Sequence, residues 1–271
     1  MLKTFIKIFI IFLLFSSCFN KKDTPKDLFN KNSESKDTKA ELNSVQLYNK
    51  AVSYFDKKRF EESKKELLIL KYKFPNSSEI KNANILLENI DLEFQKLKEE
   101  EQVIKKKERD KKKDLFLKAT KDLRIKTDEL EGKSWHQDKS SPRYINRNGF
   151  YLYIASSGFN YPSLRLKIQY KDDEWFFIKK YQIFVDGIKY SIEPEYGKIK
   201  RDNGDGDIWE WLDISVDKDI SEILSAIKYG KDIKIRYISD KYHKNRTLTN
   251  SEKKAIINIL NVYSKIGGEI Y

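Results

Sequence analysis

The segment Leu164-Arg-Leu-Lys-Ile-Gln-Tyr170 decides the fold of the C-terminal half of this 271-residue chain. Apolar and polar side chains alternate along it, and this period of two predicts a β-strand with one buried face. Asp186-Gly187 separates the runs YQIFV and IKYSI, which predicts a hairpin with a two-residue turn. A second hairpin is predicted around RDNGDGD at 201–207, before IWEWLDISV. The sequence therefore predicts an antiparallel sheet.

Two helices are predicted among these strands. Residues 217–229 place apolar side chains at helical spacing, and Gly230 ends the run. Thr249 and Glu252 form a capping box at the start of a second apolar helix, which Gly267-Gly268 closes. The combination predicts an α+β fold for residues 132–271, in which helices cover one face of an antiparallel sheet.

This half also resembles a known kind of domain. The segments that carry the resemblance are YLYI at 151–154, LRLKIQY, EWFFI, DGIKY and DNGDGDIWEWLD. Together they are similar to a domain of uncharacterised function found in the C-terminal halves of otherwise dissimilar bacterial proteins. The resemblance implies a portable module and brings no known activity with it.

The single cysteine, Cys18, lies where an apolar run gives way to polar residues. Lys3 and Lys7 flank the run at 8–15, which is too short to span a bilayer and is typical of a secretory signal. The FSSC stretch at 15–18 resembles the lipobox of bacterial lipoproteins. That resemblance implies cleavage between Ser17 and Cys18, loss of the signal peptide 1–17, and an acylated Cys18 that anchors the protein to the inner or outer membrane of the cell envelope. An ordinary signal peptide with a stray cysteine is the alternative.

The chain is basic, with 54 Lys and Arg against 42 Asp and Glu and a formal net charge of +12. The signal peptide holds two of these lysines and no acid, so the excess survives its removal. Such a charge suits anionic lipid or an anionic wall polymer as a partner, whereas export makes nucleic acid an unexpected one. Residues 18–43 contain few large apolar side chains and are predicted to be a disordered tether.

Residues 44–77 carry the pattern of a helical hairpin, with apolar residues at intervals of three and four and one break near 56–58. The spacing resembles a tetratricopeptide repeat of the kind found in periplasmic lipoproteins and TolA-binding proteins. The family's packing positions would fall on Leu47, Ala51, Tyr54, Ser63, Leu67 and Pro75. The resemblance implies close helix packing at the small residues and a helix end at the proline. A generic helical hairpin is the alternative.

One repeat leaves an apolar face that a neighbouring repeat would normally cover. One further helix is predicted after Pro75, which completes a helical unit at 44–97. We therefore expect an uncovered groove that suits an envelope protein partner or a second copy of the chain. Residues 98–131 are dominated by charge and are predicted to be a helical spacer with a solvated face; a specific polyanion site is the alternative.

The inventory of reactive side chains argues against catalysis. The sequence has two histidines, His136 and His243, more than 100 residues apart, and no cysteine besides Cys18. A His and Cys zinc site is therefore excluded, and none of the common catalytic or phosphate-binding motifs occurs. The sequence predicts a non-catalytic interaction or scaffold protein without a cofactor.

The stretch that most resembles a ligand site is the acidic turn and the strand after it. Its candidate ligand-binding residues are Asp202, Asp205, Asp207, Trp209 and Trp211. The carboxylates do not have the spacing of a helix–loop–helix calcium site, so a tight hairpin turn is the simpler interpretation. The two indoles share one strand face and are expected to pack in the core, although an exposed pair would favour binding of a carbohydrate, an anionic wall polymer or Ca²⁺ by this domain.

Overall fold

The structure, a computed structural model, describes residues 42–158 and 160–270. These residues form two compact units that divide between Val103 and Ile104. The first unit is helical, and the second contains ten strands and two complete helices. The predicted α+β class is confirmed. Within the described ranges, no helix is both long enough and apolar enough to cross a bilayer.

The first unit contains a helical hairpin followed by a long helix. The helices are α1 (Ser44–Asp56), α2 (Phe60–Lys73) and α3 (Ile80–Thr120), of which residues up to Val103 belong to this unit. Asn43 caps α1 in a capping box with Gln46, which satisfies backbone donors at the helix start. Pro75 lies two residues beyond the end of α2, as the pattern predicted, because proline cannot continue a helix.

The core of this unit is small and lies where α1, α2 and the start of α3 meet. Its buried apolar residues are Leu47, Ala51, Leu67, Leu70, Ala83, Leu86 and Ile90. Ser63 is also fully buried, and its Oγ donates a hydrogen bond of 2.8 Å to the carbonyl oxygen of Ala51. The small side chains at 51 and 63 therefore allow the two helix backbones to approach closely.

The second unit is built on two antiparallel sheets. A six-stranded sheet has the order β1-β2-β3-β4-β8-β7, and a four-stranded sheet has the order β10-β9-β5-β6. The strands are β1 (Arg124–Asp128), β2 (Lys133–Gln137), β3 (Gly149–Ser157), β4 (Asn160–Asp172), β5 (Lys180–Val185), β6 (Ile188–Ile192), β7 (Lys200–Gly204), β8 (Asp207–Ser215), β9 (Ile233–Ile238) and β10 (His243–Thr247).

The alternation in 164–170 sets the inner face of the six-stranded sheet. Leu164, Leu166, Ile168 and Tyr170 are buried, and the β3 partners of the first three are apolar as well. The four-stranded sheet contributes alternate residues of β5 and β9, and both helices contribute their apolar stripes, so that these elements share one hydrophobic core. Tyr237 on β9 contacts the ring of Tyr170 at a centroid distance of 5.1 Å.

The two helices of this unit confirm the predicted start and stop signals. Helix α4 (Lys218–Tyr229) is capped by the Asp217 side chain and ends at Gly230. Helix α5 (Asn250–Lys265) begins with the capping box of Thr249 and Glu252. The two predicted hairpin turns are also present, at Asp186-Gly187 and Asp205-Gly206, and all four of these residues have positive φ.

The second unit begins earlier than the predicted boundary at residue 132. The helix α3 continues through the charged segment to Thr120, and β1 then pairs with β2 in the six-stranded sheet. Leu123 belongs to the core of this unit, and the Phe116 ring packs edge-on against His136 at 5.0 Å. The end of the predicted spacer is therefore part of the β-rich unit, because Phe116 and Leu123 are buried there.

Candidate functional site

The outer face of the six-stranded sheet is the surface that points away from the core. We call it the outer sheet face and define it by the residues that the strand register places on this side of the sheet, among which Tyr151, Tyr153 and Gln169 are themselves buried. They are Arg124, Lys126 and Asp128 on β1; Lys133, Trp135 and Gln137 on β2; Tyr151 and Tyr153 on β3; Arg165, Lys167, Gln169 and Lys171 on β4; Asp207, Trp209, Trp211 and Asp213 on β8; and Lys200 and Asp202 on β7. This face combines five aromatic side chains with seven basic and four acidic ones.

A hydrogen-bonded cluster occupies the centre of the outer sheet face. The Nε atom of Arg165 donates to an Asp213 carboxylate oxygen and to the Tyr153 hydroxyl, each at 2.8 Å. The Tyr153 hydroxyl lies 2.8 Å from both carboxylate oxygens of Asp213. Lys167 is more distant, with its Nζ 3.7 Å from the same carboxylate. Two cations therefore share one carboxylate.

Burial shapes the titration of this cluster. The Lys167 side chain is only 18 % exposed. Burial disfavours its charged form, and Arg165 and Lys126 repel that charge. These effects outweigh the attraction of Asp213, so the pKa of Lys167 is lowered. The pKa of Tyr153 is raised by burial and by Asp213, so the phenol stays protonated as a donor. The pKa of Arg165 is raised, because Asp213 and Tyr153 outweigh the effect of burial.

Trp209 and Trp211 share one face of β8, as predicted, but this is the outer face. Both indoles are half-buried and lie outside the hydrophobic core. The core side of β8 instead contains Ile208, Glu210 and Leu212. The expectation that the two tryptophans pack in the core is therefore wrong. Glu210, which was expected to face solvent, faces the core, so the tryptophans on either side of it face outward.

The side chains of the acidic turn point to a structural role. Asp205 and Gly206 are the two central residues of the β7–β8 hairpin, and Asp202 accepts a hydrogen bond from the backbone of Asn203. Asp207 forms an ion pair with Lys171 at 2.5 Å. Over the described residues, no group of three or more His, Cys, Asp or Glu side chains could hold a metal ion. The three carboxylates thus serve the turn and one ion pair.

A second candidate surface lies on the first unit. Ile85 and Leu92 on α3 are 49 % and 53 % exposed and are two helical turns apart, on the side opposite the buried Ala83 and Ile90. Tyr54, which was predicted to lie between α1 and α2, is outside this unit's core. It is half-buried under Arg59, whose guanidinium carbon is 4.6 Å from the ring centroid. Leu47, Ala51, Ser63 and Leu67 are buried.

Among the described residues, His136 contacts Ser134, but the two are not arranged as a catalytic pair. His136 Nε2 lies 2.9 Å from Ser134 Oγ, which in turn lies 2.9 Å from Ser156 Oγ. His136 is 4 % exposed, and its Nδ1 atom meets no hydrogen-bond partner within the part of the chain that the structure describes. Burial lowers its pKa, so the neutral ring is favoured. A triad needs an acid at Nδ1, so the pair is a core contact.

Sequence reasoning missed a loop that displays two aromatic rings. Residues 173–179 connect β4 to β5, and within them Trp175 and Phe177 are 37 % and 56 % exposed and stack at a centroid distance of 5.9 Å. The buried Glu210 holds this loop, because its carboxylate accepts hydrogen bonds from the backbone nitrogens of Phe176, Phe177 and Ile178. Arg201 completes the site with a contact of 2.9 Å to the same carboxylate.

Comparison with known proteins gives no relative for this chain: no family model, no curated protein and no solved structure matches it. Ser17 and Cys18 lie outside the described residues, as do the predicted signal peptide and nearly all of the tether. The lipoprotein and tetratricopeptide resemblances therefore stay predictions from the sequence.

Proposed function

We propose that this protein is a non-catalytic interaction protein of the bacterial cell envelope, held at the membrane through an acylated Cys18. The sequence supports the anchor through the basic flank, the short apolar run and the small residues before the cysteine. The proposal includes no cofactor and no nucleic acid partner. It assigns recognition of a protein partner to the helical unit.

The observation that carries this proposal is the pair Ile85 and Leu92 on α3. An apolar stripe on the solvent side of a packed helix exposes surface that is favourable to bury. In an array of helical repeats, the next helix would cover such a stripe. Here the stripe is available to a partner helix or to a second copy of the chain.

Site-specific crosslinking in cells tests the proposal on the full chain. A photocrosslinking amino acid is placed at Ile85, at Leu92, or at Val103 as the control, which lies on the same helix and is 51 % exposed. We expect positions 85 and 92 to yield the same crosslinked product and position 103 to yield none. A product of twice the mass of the chain identifies self-association, whereas another mass identifies an envelope protein.

Introducing a negative charge into the stripe gives the matched measurement. Leu92→Asp should reduce recovery of the crosslinked partner from position 85 by tenfold or more, because burying an unpaired carboxylate is costly. Val103→Asp should change recovery less than twofold. Equal crosslinking at all three positions, or equal effects of the two substitutions, would show that the helical unit does not select a partner through this stripe.

A further inference from the structure

The outer sheet face carries a diagonal row of side chains, one on each of four neighbouring strands. The row runs from Trp135 on β2 through Tyr153 on β3 and Lys167 on β4 to Trp211 on β8, with each step moving one strand across and two residues along. Strands lie ~4.8 Å apart and each residue advances ~3.3 Å, so the two tryptophans are about 25 Å apart. The row is therefore long enough for an extended chain ligand.

The charges along this row are unbalanced. Arg165 and Lys167 share Asp213 as described above, and Lys126 lies 6.0 Å from the centroid of the Trp135 ring. Partly buried cations interact strongly with an added anion, because little water screens them. An anionic group beside Lys167 would supply the second negative charge that this pair of cations lacks.

The aromatic members of the row add a different requirement. Trp135 and Trp211 are half-buried, so each is fixed by its neighbours and presents part of a flat, apolar ring system. An aromatic ring with a cation beside it suits a ligand that offers both an apolar face and a negative charge. A sugar ring offers an apolar face of C–H groups, and a carboxylate on that ring offers the charge.

We propose that the outer sheet face binds a linear, carboxylate-bearing polysaccharide along the row from Trp135 to Trp211. In this arrangement, Lys167 contacts a ligand carboxylate and the two tryptophans stack on sugar rings. The site is separate from the protein interaction assigned to the helical unit. Because binding at the sheet face does not depend on Ile85 and Leu92, the two proposals succeed or fail independently.

The test measures binding of three polymers to the full chain in a nonionic detergent by isothermal titration calorimetry. Alginate carries both rings and carboxylates, dextran carries rings without charge, and polyphosphate carries charge without rings. We expect alginate to bind, with an affinity that falls as salt rises, and dextran and polyphosphate to bind at least tenfold more weakly. Polyphosphate binding as tight as alginate binding would overturn the proposal, because it would show attraction by charge alone. Absence of alginate binding would overturn it too.

Substitutions then locate the site. Lys167→Gln and Trp211→Ala should each weaken alginate binding by tenfold or more. Two controls, Lys234→Gln on β9 of the four-stranded sheet and Trp175→Ala in the loop 173–179, remove an exposed lysine and an exposed tryptophan outside this face and should change affinity less than twofold. Lys126→Gln, on the exposed edge strand β1, is a further variant that does not disturb the core and should weaken binding threefold or more. Equal effects of site and control variants would overturn the assignment.

Discussion

The carboxylate of Glu210 accepts a hydrogen bond of 2.7 Å from the backbone nitrogen of Phe177, a residue with a φ of 55°. This left-handed conformation is uncommon for a bulky side chain and is favourable only where the surroundings fix it. Three consecutive backbone donors around a fully buried carboxylate supply that constraint. The exposed rings of Trp175 and Phe177 are therefore held by a charge inside the core.

Removal of this charge should destabilise the second unit. We expect Glu210→Ala to lower the free energy of unfolding by about 3–5 kcal/mol, because it leaves Arg201 and three backbone donors without their acceptor. Glu210→Gln keeps an acceptor oxygen and should cost less. Phe177→Gly is the control, since glycine tolerates positive φ, and it should remain within about 1 kcal/mol of the parent. Urea unfolding followed by tryptophan fluorescence measures all three, and equal stability of Glu210→Ala and the parent would contradict this account.

Acid should weaken the contact between α5 and β3. Glu252 accepts hydrogen bonds from Arg246 at 2.8 and 2.9 Å and from the backbone nitrogen of Phe150 at 3.0 Å. Burial disfavours its charged form, but the hydrogen bonds and the charge of Arg246 outweigh burial and lower the pKa of Glu252.

Because this pKa is lower in the folded state, the contribution of Glu252 is present above its unfolded pKa of about 4.3 and is lost as pH falls below that value. We expect the midpoint of urea unfolding to decrease between pH 5 and pH 3, and Glu252→Gln to flatten this decrease while lowering stability at pH 7. A variant with the same pH slope as the parent would show that other carboxylates dominate. Lys133 also lowers the pKa of Glu131, but this pair is exposed and screened by solvent, so Glu131→Gln is a matched control that should flatten the decrease less than Glu252→Gln does.

Two substitutions in the helical hairpin of α1 and α2 distinguish a buried packing contact from a surface contact. Leu67 is fully buried, so Leu67→Ala should cost about 2–5 kcal/mol and unfold the small helical unit locally. Tyr54 contacts Arg59 outside the core, so Tyr54→Ala should cost about 1 kcal/mol. Hydrogen exchange of the α1 and α2 amides measures both effects. Leu67→Ala should also abolish partner capture, and capture that persists in an unfolded helical unit would contradict the proposed function.

The membrane anchor is tested at Cys18. We expect Cys18→Ala to abolish labelling by radioactive palmitate and to move the protein from the detergent phase to the aqueous phase on phase separation, because several acyl chains hold far more strongly than one. Ser16→Ala keeps a small residue before the cleavage site and should retain the label. Unchanged phase behaviour of Cys18→Ala would support the alternative of an ordinary signal peptide.

Local signals predicted most of the elements correctly. The capping boxes, the Asp-Gly turns and the alternation at 164–170 depend on residues close in sequence, so they can be predicted without knowledge of the fold. The sequence also indicated the small residues at 51 and 63, because helix spacing places them at one interface.

Contacts between distant residues were the part that could not be predicted. From the sequence, Glu210 is expected to face solvent between two tryptophans. No neighbouring residue in the sequence indicates that its partners are the backbone of 176–178 and Arg201. Once Glu210 faces inward, the indoles on either side must face outward. The outer sheet face was missed for the same reason, since its diagonal row joins four strands whose register only the sheet defines.

The hydrogen bond between Phe150 and Glu252 joins residues 102 positions apart. Chains whose contacts span such separations fold slowly, whereas a helical hairpin closes through local contacts. The buried core of the helical unit uses residues up to Ile90, whereas Phe150 on β3 can donate its hydrogen bond to Glu252 only after α5 has been synthesised. During synthesis, the N-terminal unit can therefore fold first, whereas the contact between β3 and α5 forms only after Glu252 has been made.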